Sequence, residues 1–471
     1  MRCVGNGRWL LAVDDWRLCV ICYSPFTIHH SQFTIFLTPT ISRQYCPFPF
    51  LSSPEFLYFH TPPVAVCYND PMTRTQALSP DVVLQPVAAA LGSQFKTAYL
   101  YGSYAQGFYQ PGESDINILV VADDSADYHL VREAVLNVWS DEVAAAFRKP
   151  PAFARQSNLL RHLRLNPAFA YHLATEGRVL AGKSLFSAPP IFNEADLLAQ
   201  DINQVMVASA AVASHLLEPE IAADRHALLR HLARRLLRQP QPTNATPVQL
   251  LGDLQDHLQS RLNRLPDAPF HGATPDEEAP ALLPDLQAIY EVTEEILLVL
   301  PDLSPRRLAQ TDWRSVGDLV AGDYNGIRLV TPAQLYLVLT YANPLGIRLM
   351  RYNHAWGVDS LPQVPVTTAS ICREAARHTS HLLTITLPQM YLAADDEQVS
   401  KVIHDIQNKL LNVQLQHELL HRLLGWERTL PPIPLPDRQT PAPQRIEANF
   451  AHLEWWSNTY FQLMGKGNGR E

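Results

Sequence analysis

Tyr99-Leu100-Tyr101-Gly102-Ser103-Tyr104-Ala105-Gln106-Gly107 and, after a polar loop, Ser114-Asp115-Ile116-Asn117-Ile118-Leu119-Val120 are the stretches on which the reading of this chain turns. The first is an apolar, β-rich run that ends at a glycine. Gly102 lets the backbone turn tightly and come close to a ligand. Ser103 is placed to open a short helix, whose free N–H groups favour an anion, with its hydroxyl as a further donor. The second stretch reads as a strand over Asp115–Val121. Side chains two apart on a strand share a face, so Asp115 and Asn117 aim at one pocket while Ile116, Ile118 and Val120 enter the core.

A carboxylate beside a phosphate-binding turn suits Mg²⁺, which takes oxygen ligands and bridges phosphates. Two such ions could activate a hydroxyl and stabilise a leaving pyrophosphate. These two segments together resemble the DNA polymerase beta-like nucleotidyltransferase superfamily. The likeness is nearest to the minimal and the aminoglycoside nucleotidyltransferases. The family pattern is an apolar strand, Gly-Ser, a spacer, then Asp-x-Asp on a strand. Here eleven residues separate Gly102-Ser103 from Asp115-Ile116-Asn117. The likeness covers about residues 80–186, under a quarter of the chain.

The resemblance implies transfer of a nucleoside monophosphate from an NTP to a hydroxyl acceptor. Gly102 and Ser103 would hold the triphosphate, Asp115 would be catalytic, and Asp115 with Asn117 would hold Mg²⁺. The chain departs from the pattern in two places. Asn117 replaces the second acid. The third carboxylate, expected on the strand after the next helix, is missing from Pro150–Asn158, where Arg155 stands instead. Glu113 is a possible substitute ligand. The alternative is therefore a degenerate protein that binds a nucleotide or a partner without chemistry.

Outward from this corner, the pattern predicts a helix at Val82–Leu91, one at Asp127–Phe147, a weak strand at Ala152–Ser157, a helix at Asn166–Gly177 and a closing run at Val179–Gly182. From Glu194 onward the spacing predicts helices at Glu194–Leu217, Ala222–Arg238, Val248–Asn263, Pro284–Val299, Thr331–Thr340, Ser370–Thr384, Glu397–Leu424 and Ala442–Met464. No repeat of fixed period is visible. The expected plan is an α/β nucleotidyltransferase-like domain at 72–190, a small mixed sheet with helices on it. A mostly α-helical region at 191–428, a Pro-rich linker at 429–443 and a C-terminal helix at 444–471 follow.

Residues 1–71 differ from the rest. They hold five of the six cysteines, few charges and no helical period. We read them as a disordered or non-native leader before a start at Met72. Cys19 and Cys22 lack a second ligand pair, so neither zinc nor a disulfide framework is expected there. The net charge of -9 argues against a general nucleic-acid binder. A cytoplasmic location is expected, with no membrane span in the folded part and no reading of oligomeric state or acceptor.

Three further features stand outside this corner. His417-Glu418-Leu419-Leu420-His421 matches H-E-x-x-H, which makes a zinc-dependent hydrolase the second alternative. Arg225 and His231 have the spacing of a helical ribonuclease type, the HEPN family, but read better as a solvated basic face. Trp455, Trp456, Tyr460 and Phe461 read as docking residues for the last helix.

Overall fold

The computed structural model describes residues 78–109, 114–188, 190, 192–238, 244–265, 281–292, 295–320, 326–342, 352–359, 368–423 and 439–466, and the backbone of 2–4, 8–13 and 16–19. The chain divides into two units, Met1–Leu51 and Ser52–Glu471. The first contains an antiparallel sheet of β1 (Arg2–Val4), β2 (Arg8–Val13) and β3 (Trp16–Cys19). The expected leader is otherwise outside the described residues, as is most of the expected Pro-rich linker.

In the second unit, α1 (Asp81–Leu91) leads into β4 (Phe95–Tyr101) and β5 (Asn117–Ala122). Then come α2 (Tyr128–Leu136), α3 (Asp141–Phe147), β6 (Ala152–Arg155), α4 (Gln156–Leu165), α5 (Pro167–Thr175) and β7 (Arg178–Gly182). The sheet order is β6-β5-β4-β7. β5 and β7 flank β4 antiparallel, and β6 joins β5 in parallel. The helix expected at Asp127–Phe147 is broken in two. The first half ends at Leu136, and Ser140 caps α3, its hydroxyl accepting the Val143 N–H.

Next come α6 (Glu194–Ala208), a 3-10 turn at Ser209–Leu216, α7 (Pro219–Leu237) and α8 (Pro247–Leu262). The region expected to be helical then contains a second sheet. Pro284–Val299 forms not a helix but β8 (Ala288–Val292) and β9 (Glu295–Val299). Residues 295–299 are buried throughout, and a short buried apolar run has no period to separate strand from helix. α9 (Pro305–Gln310), α10 (Trp313–Val320), β10 (Gly326–Val330), α11 (Pro332–Leu337), a π-helical turn at Val338–Ala342 and β11 (Tyr352–Gly357) complete it. The chain ends with α12 (Thr368–His381), a π-helical turn at Leu382–Thr386, α13 (Leu387–Leu392), α14 (Val399–Leu423) and α15 (Ala442–Lys466). Among the described residues no helix is long and apolar enough to cross a membrane.

The cores do not follow the order of the chain. One joins α6, α7 and α8 to the second sheet through residues such as Leu198, Leu229, Leu232, Leu297 and Leu329. Another joins the first sheet to the last helices through Ile118, Val120, Phe153, Ala376, Ile406 and Phe450. The far face of the first sheet packs Leu119, Val121 and Ala154 on Leu159 and Leu173. Both faces of β5 are therefore covered, which explains its unbroken Ile118–Val121 run.

Candidate functional site

β4 ends at Gly102, whose φ of +74° is readily available only to glycine. A Cβ there would lie 2.9 Å from Asn117 Nδ2, so a methyl group would displace the amide that donates to Asp115. The segment that follows, expected as a short helix or turn to about Gly107, is a turn over 102–107. Gln106 N–H donates to the Gly102 carbonyl (3.2 Å) and Phe108 N–H to the Ser103 carbonyl (2.9 Å). One turn has no macrodipole to speak of, so that part of the anion argument lapses. Ser103 is only 4% exposed, and its enclosed Oγ has no hydrogen-bond partner among the described residues.

Tyr101 of β4 pairs with Asn117 of β5, which brings Asp115 beside the turn. The Asp115 carboxylate is engaged at both oxygens. Asn117 Nδ2 donates to Oδ1 (2.7 Å), and Lys149 Nζ lies 2.7 Å from Oδ2. Burial alone would raise the Asp115 carboxyl. The Lys149 ammonium, helped by Asn117, outweighs it and holds the group below its ordinary value. The tyrosine next to Gly102 feels the same carboxylate. Burial first, then Asp115, push the Tyr101 phenol upward.

Lys149 is aimed by its neighbours in sequence. Arg148 ends α3 in the left-handed conformation (φ 60°), its N–H returning to the Ala144 carbonyl. Pro150-Pro151 cannot continue a helix, so the chain swings into β6. The Pro150 carbonyl accepts Gln389 Nε2 (3.0 Å), which fixes that corner.

A second layer ties the turn to α7. Gln106 Nε2 donates to Glu176, which also meets His172 (2.9 Å) and Arg238 (3.5 Å). His231 of α7 comes close enough for its charge to act on Asp115, and burial and Arg235 push the imidazole down to about 4. It is therefore neutral at pH 7. Arg225, read as part of a solvated basic face, is an ion-pair partner of Glu295 (3.5 Å).

The donor set does not fit the metal pair that the resemblance implies. The site brings one carboxylate and one amide, and both carboxylate oxygens already have partners. Among the described residues no three His, Cys, Asp or Glu side chains gather to hold an ion. Glu113, the possible substitute, lies outside the described residues. Arg155 is not at the site. The parallel register places it opposite Ala122, at the far end of β5. There it bonds the Ala126 carbonyl and Glu447 (2.8 Å each) and stacks on Tyr128. The residue at the mouth is Lys149, a few positions before β6. A search for missing acids could not find it, because only the β5–β6 register shows that it faces Asp115.

His417 is buried in the core beside α15, bonded to Tyr460 Oη (3.1 Å) and packed edge-on against the same ring. Glu418 accepts Gln414 (2.9 Å). The His421 side chain lies outside the described residues. Trp456 and Tyr460 are buried, as docking residues should be, whereas Trp455 is 45% exposed. No family model matches the chain, and no curated protein matches it.

Proposed function

We propose that this chain is a nucleotidyltransferase-like protein that binds the triphosphate of an NTP at the Gly102 turn, with nucleotidyl transfer weakened or lost. The observation that carries the reading is the convergence of a positive-φ glycine, Asp115 and Asn117 on one corner between β4 and β5. Lys149 is the cation placed to meet phosphate oxygens, and Arg148 stands next to it. A lysine held on Asp115 does electrostatically part of what a divalent ion does elsewhere, but it supplies no Lewis acid. The missing acids disfavour turnover, and the Ser103 hydroxyl, enclosed at 4% exposure, leaves phosphate binding to Lys149 and the turn backbone. The cytoplasmic setting belongs to the same proposal.

One observation favours surviving transfer to a hydroxyl acceptor: Asp115 stays ionised and only partly covered. Equilibrium dialysis with ATP and incorporation of α-labelled nucleotide separate the two readings. Binding without incorporation is expected. Incorporation that disappears in Asp115→Ala would establish the transferase. Absence of ATP binding at any Mg²⁺ concentration would end the nucleotide reading altogether.

A further inference from the structure

The two four-stranded sheets are the same object. Each has the order third-second-first-fourth, with the second and fourth strands antiparallel to the first and the third parallel to the second. Each is preceded by a helix, carries helices between its second and third strands and again before its fourth, and is followed by a long helix.

The agreement extends to single residues. The fourth strand ends at Gly182 in one sheet and Gly357 in the other, with φ of +80° and +83°. A Cβ on either would lie 2.2 Å from a backbone oxygen, that of Lys96 or Gln287. Counting back from each glycine, one pair follows and then one residue is skipped, Leu180 in β7 and Ala355 in β11. The same register makes Tyr99 equivalent to Tyr290. Both are buried, and both hydroxyls bond the chain just past the glycine, at Ser184 and Leu185 or at Val358 and Asp359. In the second strands, Asn117-Ile118-Leu119-Val120-Val121 aligns with Glu295-Ile296-Leu297-Leu298-Val299. A topology can recur by chance. A shared bulge, a shared left-handed glycine and a shared tyrosine anchor are not what chance supplies.

The helices after each sheet are exchanged. The 3-10 turn after α6 sits on β10, with Ser209 Oγ accepting the Leu329 N–H (2.8 Å). The π turn after α12 sits on β6, and α12 lies against α4, where His162 meets Ser380 (3.2 Å).

The two copies differ where the chemistry would be. The first joins its leading strands through residues 102–116, with Gly102, Ser103 and Asp115. The second joins them through Thr293 and Glu294 alone. At the position of Asn117 stands Glu295, paired with Arg328 and Arg225. We infer that the chain is an internal pseudo-dimer of two copies of one unit, in which only the first retains a polyphosphate site and the second is a silent copy that holds α7 against it. Leu229, Leu232 and Ala233 of α7 pack into the core of the second sheet, and Arg238 at the end of α7 meets Glu176, to which Gln106 of the turn also donates. The turn of the first site is thus braced by a helix seated on the second copy. The ligand part of this inference rests on the nucleotide reading above; the architectural part does not.

The test uses the full chain with a specific protease site inserted between Gln239 and Asn244, cut after folding. Native gel filtration and ATP titration are run before and after the cut. The expected result is two fragments that co-elute until denaturant is added, and one ATP per pair, with affinity unaffected by Glu295→Gln and weakened about tenfold in Lys149→Met. Fragments that separate in native buffer would overturn the exchanged architecture. Two ATP per chain, or ATP binding abolished by Glu295→Gln in a folded protein, would overturn the silent copy. If ATP does not bind at all, the nucleotide reading fails, and co-elution still decides the architecture.

Discussion

The first sheet and the second share a strand order, a bulge and a terminal glycine, yet they spend their charges differently. At the head of β5, Asp115 and Lys149 are each about a third exposed on the side chain (27% and 30%), beside a glycine-led turn. At the head of β9, Glu295 and Arg328 are nearly enclosed, with side chains 12% and 5% exposed. A partly open pair can be prised apart by a ligand. A closed pair is structural, and breaking it leaves a buried charge. A framework kept twice with a loop kept once separates what folds the unit from what the first copy adds to it.

The sharpest way to break the comparison is at the paired glycines. Gly182→Val and Gly357→Val each force a Cβ onto a backbone oxygen in a left-handed conformation. Both should cost more than about 3 kcal/mol in urea unfolding, or prevent folding. A mild effect at one and a severe effect at the other would argue against equivalence.

Next in size is the charge contrast. Glu295→Gln should cost about 2–4 kcal/mol, because it removes the charge of one member of a nearly enclosed ion pair. Lys149→Ala should cost under about 1 kcal/mol, because its pair is partly solvated. ATP affinity should respond the other way round, falling about tenfold in Lys149→Ala and staying unchanged in Glu295→Gln.

Acid should also act unevenly. His378 and His381 of α12 are held down to about 4 by burial, and burial with His381 and Arg377 lowers His162 well below its ordinary value. Each binds a proton more readily when unfolded. Their contribution is complete above the ordinary histidine value of about 6.5 and is lost as pH falls from there toward 4. Between pH 7 and 5, hydrogen exchange should rise at α12 and β6, by on the order of 1–2 kcal/mol of protection, and with it at α7, where His231 is likewise held down to about 4. Asp115 works in a lower window. Its carboxyl is depressed, so its contribution is present above the unfolded value and fades only below it. The smallest effect belongs to the tyrosine anchors. Tyr99→Phe and Tyr290→Phe should each cost about 1 kcal/mol, and by similar amounts.

Much of the first sheet was legible because Gly102 and Gly182 punctuate short apolar runs. β4, β5 and β7 fall close to where the sequence places them. The second sheet was not. Its first two strands sit in one acidic and apolar stretch, Pro284–Val299, with no glycine to divide them, so the spacing reads as a helix. The repeat was hidden for a related reason: it lies in register and backbone conformation, carried by a few residues such as Tyr99 and Tyr290, and not in a sequence period. At the site, Gly102, Asp115 and Asn117 were readable as local spacing. Lys149 and His231 were not, because one arrives through a parallel strand pairing and the other through a helix seated on the second copy.

The measurement that bears most directly on the account is photo-crosslinking with an azido-ATP followed by peptide mapping. Label in peptides from Thr97–Val121 or around Lys149, in competition with unlabelled ATP and absent from the β8–β9 region, is the predicted outcome. Competed label confined to the second copy, or to neither sheet, would contradict it.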